Sequence, residues 1–342
     1  MQITQLESAQ EELWDRYVSK ASASALYHLS GWKRIVEKSF KHNTFYLYAL
    51  EDEQIVGILP LVFLKSLPFG KFFVSLPFFN YGGILAENME IRRALLDEAA
   101  VIARREGAEH IELRHLENFA LHLPVKTSKV TMILDLPETS EDLWKRFKSK
   151  LRSQIRRPEK EGFHVKIGHA EELDSFYEVF AWKMRDLGTP VYSKRFFENI
   201  LTEFPETARI CTVYAGDQAI ASGFVVGFKE MLQIPWASTL RAYDRFGSNM
   251  MLYWNILKFA CEQGYTRFDF GRSTPDQGTY RFKKQWGAQP VQCYWHYWLA
   301  NGDELPELNP HNPKYELAIK MWQHLPLSVT KLLGPHLVKY LP

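Results

Sequence analysis

The side chains best suited to chemistry lie in one stretch of the second half of the chain. A strand-like run ends in Phe268-Asp269-Phe270-Gly271-Arg272, and Phe282-Lys283-Lys284 follows after a short loop. A lysine ammonium can stabilise the negative charge that develops on an attacked carbonyl oxygen, and an arginine can hold an anionic group. Asp269 can orient an arginine or accept a proton, although carboxylates at strand ends are also common partners in structural ion pairs.

The segment 145–160 is strongly basic. It contains eight lysines and arginines and one acidic residue. A positive helix face beside a cleft attracts phosphate groups, whether on a nucleotide sugar, a lipid pyrophosphate, coenzyme A or tRNA. Arg152 and Arg156 are therefore candidate substrate-binding residues. The other interpretation is a solvated face of an amphipathic helix.

A third candidate site is the start of a long apolar helix pattern, after the run Tyr243-Asp244-Arg245-Phe246-Gly247-Ser248-Asn249. Free amides at a helix N-terminus bind anions, and a glycine there lets a phosphate approach the backbone closely. Arg245, Gly247 and Ser248 are therefore candidate residues for binding a phosphate-bearing cofactor. Serine is also a favoured helix cap, so a purely structural role for Ser248 is the alternative.

Composition and motifs argue against several classes of protein. The 342 residues carry a net charge of +2, which does not suggest DNA binding. The three cysteines form no CxxC pair, the histidines show no metal-ligand spacing, and no hydrolase, metalloprotease or nucleotide-binding motif is present. The N-terminus has no signal-peptide pattern, and no run reaches the roughly 20 apolar residues that span a bilayer. We therefore expect a cytoplasmic protein without a metal or a permanently bound cofactor.

The two halves of the sequence repeat one order of elements. Short strand patterns lead to a helix pattern over 91–106 that stops at Gly107, and again to one over 249–262 that stops at Gly264. A strand pattern follows each glycine. This predicts an α/β (α+β) fold with domains at 1–137 and 138–300 and a helical tail at 301–342, which Pro326 and Pro335 divide into short pieces. One helix is predicted over 139–155, capped by Thr139.

A family resemblance becomes specific in the second half. A strand ending in Asp-x-Gly-Arg (269–272), followed by Phe-Lys-x-x-aromatic-Gly (282–287), resembles the second domain of FemAB-type transferases. The pattern Lys-x-Arg-x-x-Ile-Arg (150–156) resembles the family's entry into that domain. The resemblance covers about 27–297 and implies two tandem GNAT-like (acyl-CoA N-acyltransferase) domains that transfer an acyl group to an amine.

The resemblance also implies roles for individual residues. The family's Phe-Lys pair lies at the transfer site, which makes Phe282 and Lys283 candidate catalytic residues, with Asp269 as a third. Arg272 and Lys284 are candidate residues for holding anionic parts of the substrate. GNAT enzymes usually place Gln/Arg-x-x-Gly-x-Gly/Ala where this chain has 244–249, with Asp and Asn at the outer positions. The donor is therefore left open between an acyl-CoA and an aminoacyl-tRNA.

The sequence as a whole is most similar to FemAB-related proteins of PEP-CTERM (exosortase) and exopolysaccharide systems. The similarity includes the runs Tyr27-His28-Leu29-Ser30-Gly31-Trp32 and Leu76-Pro77-Phe78-Phe79-Asn80-Tyr81-Gly82-Gly83. It implies a small-molecule or lipid-linked envelope precursor as acceptor. Tyr81 is a candidate substrate-binding residue in a groove between the halves, and tight local aromatic packing is the alternative.

Three interpretations of the function follow. The first is an N-acyltransferase acting on an envelope or exopolysaccharide precursor. The second is a non-catalytic protein that keeps the fold to bind a glycan or a lipid-linked intermediate. RNA binding through 145–160 is weaker, because the charges are not interleaved with aromatic residues. The basic, apolar tail is expected either to pack on the domains or to make weak peripheral contact with the anionic inner membrane.

Overall fold

The computed structural model describes residues 1–66, 70–301, 305–306 and 313–341. The first half begins with β1 (Gln2–Gln5), α1 (Glu11–Lys20), α2 (Gly31–Phe40), β2 (Asn43–Thr44), β3 (Leu47–Glu51), β4 (Gln54–Leu59) and β5 (Val62–Ser66). It continues with β6 (Gly70–Val74), β7 (Leu85–Ala86), α3 (Met89–Glu106), β8 (His110–His115) and β9 (Val125–Lys126).

The second half begins with β10 (Val130–Asp135), α4 (Ser140–Arg146), α5 (Ser149–Arg156), β11 (His164–Gly168), α6 (Leu173–Leu187), α7 (Lys194–Glu203), β12 (Ala208–Ala215) and β13 (Gln218–Phe228). It continues with β14 (Met231–Thr239), α8 (Ser248–Glu262), β15 (Arg267–Ser273), α9 (Gly278–Lys284), β16 (Gln289–Gln292), β17 (Tyr294–Leu299), α10 (Pro313–His324) and α11 (Leu327–Val338).

The chain divides into two compact units. Unit 1 comprises the described parts of Met1–Val130, Val291–Glu307 and Tyr340–Pro342, and unit 2 those of Thr131–Pro290 and Leu308–Lys339. The expected boundary near 137 lies close to this division. Strand β17 was expected in the second domain, but it pairs antiparallel with β8 of unit 1, from Tyr294 opposite His115 to Leu299 opposite His110. The tail is likewise not separate, since its helices belong to unit 2.

Both units contain a parallel strand pair joined by a long helix. In unit 1, α3 lies between β6 and β8, and in unit 2, α8 lies between β14 and β15. Left-handed glycines follow both helices, Gly107 at φ 69° and Gly264 at φ 78°. Unit 2 forms one sheet in the order β11-β12-β13-β14-β15-β10-β16. Unit 1 instead has a sheet β1-β3-β4-β7 and a sheet β2-β5-β6-β8-β17-β9.

The basic segment folds into two helices rather than the single helix predicted over 139–155. Thr139 caps α4 by accepting a hydrogen bond from the amide of Asp142, as expected. The chain then turns extended at Phe147, where ψ is 140°, before α5 begins. The turn places the Phe147 ring, 5% exposed, against Trp254 and Trp286. Burial of this aromatic side chain explains why helical periodicity did not continue into one helix.

The C-terminal helices pack on α6. A side chain at Gly188 would lie 2.4 Å from Ile319 of α10, and one at Gly334 would lie 2.7 Å from the backbone of Val191, so both contacts require glycine. Lys331 of α11 forms an ion pair with Glu178 of α6. Pro335 lies inside α11 and does not divide it, contrary to the prediction. Packing on unit 2, one of the two expectations for the tail, is therefore observed.

The tail helices nevertheless leave several large apolar side chains in solvent. They are Leu317 (61% exposed), Met321 (64%), Leu332 (68%), Leu333 (44%) and Leu337 (47%). Across the described residues, every helix falls short of the length and apolarity that crossing a bilayer requires.

Candidate active site

The centre of unit 2 is a fork between strands β14 and β15. The two strands pair in parallel only from Met231 opposite Arg267 to Gln233 opposite Asp269, although β14 continues to Thr239 and β15 to Ser273. The register between β13 and β14 shifts between Phe224 and Val226, immediately beside the end of this pairing. Such a bulge bends a strand, and Pro235 at the same place cannot donate a backbone hydrogen bond. Beyond Gln233 and Asp269 the two strands therefore diverge.

Asp269 lies at the base of the fork. It is 2% exposed, and its Oδ1 accepts hydrogen bonds from Thr131 Oγ1 at 2.6 Å and from the amide of Gly271 at 2.7 Å. These contacts tie β15 to β10 and bend the backbone at Gly271. The predicted catalytic carboxylate therefore orients the end of the strand.

Lys283 of α9 reaches back to the bend. Its Nζ donates to the carbonyl oxygens of Gly271 at 2.9 Å and Arg272 at 2.8 Å. In a regular strand, consecutive carbonyls point to opposite sides. Gly271 has φ 77°, a left-handed conformation that lets both carbonyls meet one ammonium group.

The ammonium of Lys283 is held in an unusual environment. The side chain is 8% exposed, and burial lowers its pKa from the ordinary 10.5 to about 8, while the Asp269 carboxylate acts to raise it and Arg272 to lower it. The two carbonyls use two of the three N–H donors of an ammonium group. One N–H donor of Lys283 is therefore left for a further partner.

The other residues of the predicted site surround Lys283 in different ways. Phe282 is half-buried, and its ring makes an edge contact with Tyr253 of α8 at 5.0 Å. Arg272 and Lys284 are exposed, and Lys284 Nζ lies 5.7 Å from the Tyr280 ring centroid. The structure therefore brings Phe282, Lys283 and Asp269 to one end of β15 and leaves Arg272 and Lys284 at its surface.

The start of α8 differs from the predicted cap. Gly247, at φ 84°, is the N-cap residue, and Ser248 is the first helical residue. Ser248 is fully buried and its Oγ donates to the carbonyl of Tyr243 at 3.4 Å, so it does not cap the helix amides. Arg245 is exposed and lies over the Phe246 ring at 4.5 Å. No side chain caps this helix, which leaves its first amides to backbone, solvent or ligand.

A basic groove adjoins the start of α8. It has a volume of about 800 Å³ and is lined by Ser149, Arg152, Ser153, Gln154, Arg156, Arg157 and Lys160. A side chain at Gly247 would lie 3.4 Å from both the Gln154 carbonyl and Pro158 Cγ, which places the α8 N-terminus against this segment. Arg152 and Arg156, the two residues predicted to bind phosphate, thus line the same groove. The groove lies next to Gly247, one of the residues predicted to bind the cofactor.

Aromatic side chains lie beside the basic segment in the structure, although the sequence of that segment does not interleave them with its charges. The guanidinium of Arg156 lies 5.2 Å from the Trp144 ring centroid, and Trp144 lies 4.9 Å from Trp254. Both tryptophans are half-buried. The sequence could not show this, because Trp254 comes from α8, far along the chain.

Part of the sequence of unit 2 matches a known domain family. The sequence of residues 145–284 matches the family described as Acetyltransferase (GNAT) domain. We refer to residues 145–284, the segment that this family model covers, as the GNAT domain. Curated proteins show no match to the chain by sequence.

Solved structures show the same fold over nearly the whole chain. FemX matches with a TM-score of 0.67 at 17% identity, over 86% of this chain and 97% of that chain. A tandem GNAT protein from the clavulanic acid biosynthesis pathway matches with a TM-score of 0.58 at 11% identity, over 89% and 99%. The C-terminal domain of a putative lysylphosphatidylglycerol synthetase from Agrobacterium fabrum matches with a TM-score of 0.58 at 13% identity, over 86% and 93%.

These findings confirm the predicted α/β architecture of tandem GNAT-type domains and support an acyltransferase. The FemAB resemblance is supported at the level of the fold. The association with PEP-CTERM and exopolysaccharide systems stays a prediction.

Within unit 1, the equivalent pair of parallel strands, β6 and β8, has no open fork. Its parallel pairing runs from Phe72–His110 to Val74–Glu112. Beyond it, the amide of Arg114 donates to Ser75 Oγ at 2.9 Å, and the amide of Gly82 donates to the Arg114 carbonyl at 3.2 Å. The chain that follows β6 therefore covers the corresponding part of β8. The open fork belongs to the GNAT domain.

The position of Tyr81 differs from the one predicted for a substrate-binding residue. It is 5% exposed, and its ring makes an edge contact with Tyr27 at 5.2 Å, inside unit 1. Gly82, at φ 133°, and Gly83 let this turn lie against Tyr27 and His115, where a side chain would clash at 2.9 Å and 2.4 Å. The aromatic turn is local packing, the alternative given for it above.

Sequence reasoning missed two polar residues of the fork. Ser238 on β14 and Ser273 on β15 are 2% and 3% exposed, and the Oγ of each is buried without a hydrogen-bond partner. Each serine lies in a strand that also carries other polar residues, so the sequence alone cannot distinguish these two from surface serines.

Proposed function

We propose that the protein is an N-acyltransferase whose reaction takes place at the open fork of the GNAT domain. The observation that carries this proposal is the geometry of Lys283, a buried ammonium fixed by the carbonyls of Gly271 and Arg272 at the point where β14 and β15 diverge. Unpaired strand edges offer amide and carbonyl groups to an extended ligand, in the way that a peptide adds to a sheet edge. An acyl donor with amide groups in its arm fits such a fork.

The proposed reaction needs no covalent intermediate on the protein. The acceptor amine attacks the donor carbonyl carbon, a C–N bond forms, and the C–S or C–O bond to the carrier breaks. The nitrogen loses a proton and the departing sulfur or oxygen gains one. Lys283 stabilises the oxyanion with its remaining N–H, a contribution worth about 3–4 kcal/mol for a well-placed donor. Phe282 and Tyr253 form the apolar wall that keeps water away.

The donor is an acyl-CoA or an aminoacyl-tRNA, since both carry phosphates for the basic groove and the α8 N-terminus. Arg152, Arg156, Arg157 and Lys160 face one groove with no acidic residue among its lining. The fork suits the amide-bearing arm of an acyl-CoA, whereas the similarity to FemX and to a putative lysylphosphatidylglycerol synthetase domain is the separate reason to test an aminoacyl donor as well. In this proposal Arg245, Gly247 and Ser248 position the donor's phosphates through the helix start.

The acceptor is an amine on an envelope or exopolysaccharide precursor, either small or linked to lipid. The exposed apolar side chains of α10 and α11 support access to lipid-linked molecules. Over 316–341 the only acid is Glu316, against Lys320, Lys331 and Lys339. Such a surface suits weak attraction to anionic lipid, at about 1 kcal/mol for each basic residue near the membrane.

One observation favours the non-catalytic alternative. Lys283 already makes two hydrogen bonds within the protein, and a buried lysine can serve only to hold α9 against β15. In that case the fork binds a glycan or a lipid-linked intermediate without turnover.

A panel of donors tests the proposal. The protein is incubated with acyl-CoAs of increasing chain length, and separately with tRNAs charged with small amino acids, each labelled in the acyl group. Envelope precursors with a free amine serve as acceptors. Label in a product that survives mild base, as an amide does, supports the proposal. Binding of the precursors without any labelled product would favour the binding protein.

A further inference from the structure

The fork contains two buried hydroxyls that the proposed reaction does not yet use. Ser238 and Ser273 lie on the two diverging strands, beyond the last paired residues Gln233 and Asp269. Neither Oγ has a hydrogen-bond partner. Buried polar groups in proteins are almost always paired, so an unpaired hydroxyl on each of the two diverging strand ends is a candidate contact for a ligand.

The neighbouring serine, Ser222, differs from Ser238 in having hydrogen-bond partners. On the neighbouring strand, Ser222 lies directly opposite Ser238, and its Oγ is 3.0 Å from Thr212 Oγ1 and donates to the Cys211 carbonyl at 3.1 Å. The hydroxyls of Thr212 and Ser222, on the same face of the sheet, are thus satisfied inside the protein. Ser238, on the strand that borders the fork, is not.

Ser238 faces a region that is otherwise aromatic. Trp236 precedes it by two residues and so lies on the same face of β14. The Trp236 ring packs edge-on against Phe196 at 5.5 Å and Phe197 at 5.1 Å. An unpaired hydroxyl beside such a wall is unfavourable in the empty protein and becomes favourable when a ligand supplies a polar partner.

Ser273 borders the reacting position from the other strand. It follows Arg272, whose carbonyl receives one of the two hydrogen bonds from Lys283. Ser273 is therefore next in the chain to the residue whose carbonyl holds the Lys283 ammonium. A polar substituent near the donor carbonyl is the partner that this position suits.

We propose that Ser238 and Ser273 hydrogen-bond the transferred acyl group and select acyl groups that carry an amine or a hydroxyl beside the carbonyl. This inference rests on the proposed function. A site built to hydrogen-bond a polar substituent rejects an analogue that lacks it, because the buried groups of the site are then left unpaired. A plain alkyl group fills the space and leaves both serines unsatisfied.

The test uses three acyl groups of nearly equal size: alanyl, lactyl and propionyl. Each is attached to coenzyme A and, in a separate set, to one tRNA, and kcat/KM is compared within each carrier. The unaltered protein is expected to prefer alanyl or lactyl over propionyl by about tenfold or more, the factor that one or two hydrogen bonds provide. In Ser238→Ala and Ser273→Ala this ratio is expected to fall towards one.

Ser222→Ala is the matched control. Its hydroxyl is paired inside the protein, so its loss should lower the melting temperature and leave the ratio unchanged. Ser238→Ala and Ser273→Ala should melt at the same temperature as the unaltered protein or higher, because each removes an unsatisfied group.

Three results are decisive. Equal kcat/KM for propionyl and its polar analogues, or a preference that survives both serine substitutions, would overturn this inference while leaving acyl transfer intact. A preference for the polar acyl groups that is lost in Ser238→Ala and Ser273→Ala but kept in Ser222→Ala supports the inference. Failure to use any acyl group on either carrier would instead contradict the proposed function, and this inference with it.

Discussion

Lys283 Nζ lies 2.9 Å from the carbonyl oxygen of Gly271, and the left-handed backbone of Gly271 makes this contact possible. The pair joins α9 to the end of β15 and fixes one positive charge at the open fork. A strand residue with ordinary φ would direct consecutive carbonyls apart. The candidate site therefore depends on the glycine as much as on the lysine.

Replacement of Lys283 tests the charge directly. Lys283→Ala should lower turnover by about 10²-fold or more, because the oxyanion loses its donor. Circular dichroism should show a folded protein. Lys284→Ala, one residue away and exposed, is the comparison and should lower turnover much less, because a surface lysine can affect substrate binding but does not contact the oxyanion. Equal turnover for both variants would remove Lys283 from the site.

The pH dependence of turnover follows from the same group. If the cation acts on the oxyanion, activity is present while Lys283 is protonated and declines as pH rises through its pKa of about 8. Stability should change in the opposite direction. Because the folded pKa is below the ordinary 10.5, the unfolded chain binds more protons between about 8 and 10.5, and the free energy of unfolding gains from this group as pH rises there. A pH–rate profile that rises through pH 8 would instead indicate a general base.

Gly271→Ala separates backbone geometry from general stability. A left-handed non-glycine residue costs about 1–2 kcal/mol, so the variant should melt earlier. Gly264→Ala is a matched control, since Gly264 has φ 78° and no atom within 4 Å of the added carbon. Both variants should lose similar stability, measured by denaturant unfolding. Turnover should fall in Gly271→Ala alone, and a comparable fall in Gly264→Ala would show that strain rather than the Lys283 contact is responsible.

The basic groove should bind the phosphates of the donor. Arg152→Glu combined with Arg156→Glu should weaken binding of coenzyme A or tRNA, and the loss should shrink as salt is raised, because screening weakens exposed charges. Lys145→Glu is the control, as Lys145 is exposed, pairs with Asp142 and does not line the groove. Calorimetric titration at two salt concentrations makes the comparison. If the double variant binds coenzyme A and tRNA at low salt as tightly as the unaltered protein does, the charged side of α5 is a solvated helix face and not a phosphate site.

The tail helices should bring the protein weakly to anionic membranes. Leu332→Glu with Leu333→Glu replaces two exposed apolar side chains of α11 and should abolish co-sedimentation with anionic vesicles, while neutral vesicles recruit neither form. Val101→Glu changes an apolar residue of α3 that is 54% exposed and serves as the control. If anionic vesicles bind the unaltered protein, the double variant and Val101→Glu equally well, the membrane role fails and the tail helices serve only to pack on α6.

Much of the architecture could be predicted from the sequence, and the reasons are physical. Helix periodicity and the glycine stops at Gly107 and Gly264 are local signals, and they predicted the helix-then-strand order that both halves show. The sheet membership of β17 could not be predicted, because pairing with β8 depends on contacts between residues far apart in sequence. The break at Phe147 was missed for a related reason, since its cause is burial against Trp254 and Trp286.

The candidate site was predictable only in part. The FemAB resemblance, together with residue types, suggested Lys283 and Asp269, and the structure places them at one strand end. Nothing in the sequence indicated that Lys283 would be buried, or that the Ser238 and Ser273 hydroxyls would lack partners. Tyr81 failed as a substrate-binding candidate because an aromatic turn looks the same in sequence whether it lines a groove or fills a core.

The central claim is that this protein forms an amide bond between a carried acyl group and an amine, at the fork of its GNAT domain. The most direct measurement is single-turnover transfer of a labelled acyl group from coenzyme A or tRNA to an amine acceptor, followed by mass spectrometry of the product. We predict a base-stable amide product from the unaltered protein and at least about 10²-fold slower formation with Lys283→Ala. Folded protein that binds donor and acceptor but yields no amide from either carrier would contradict the claim.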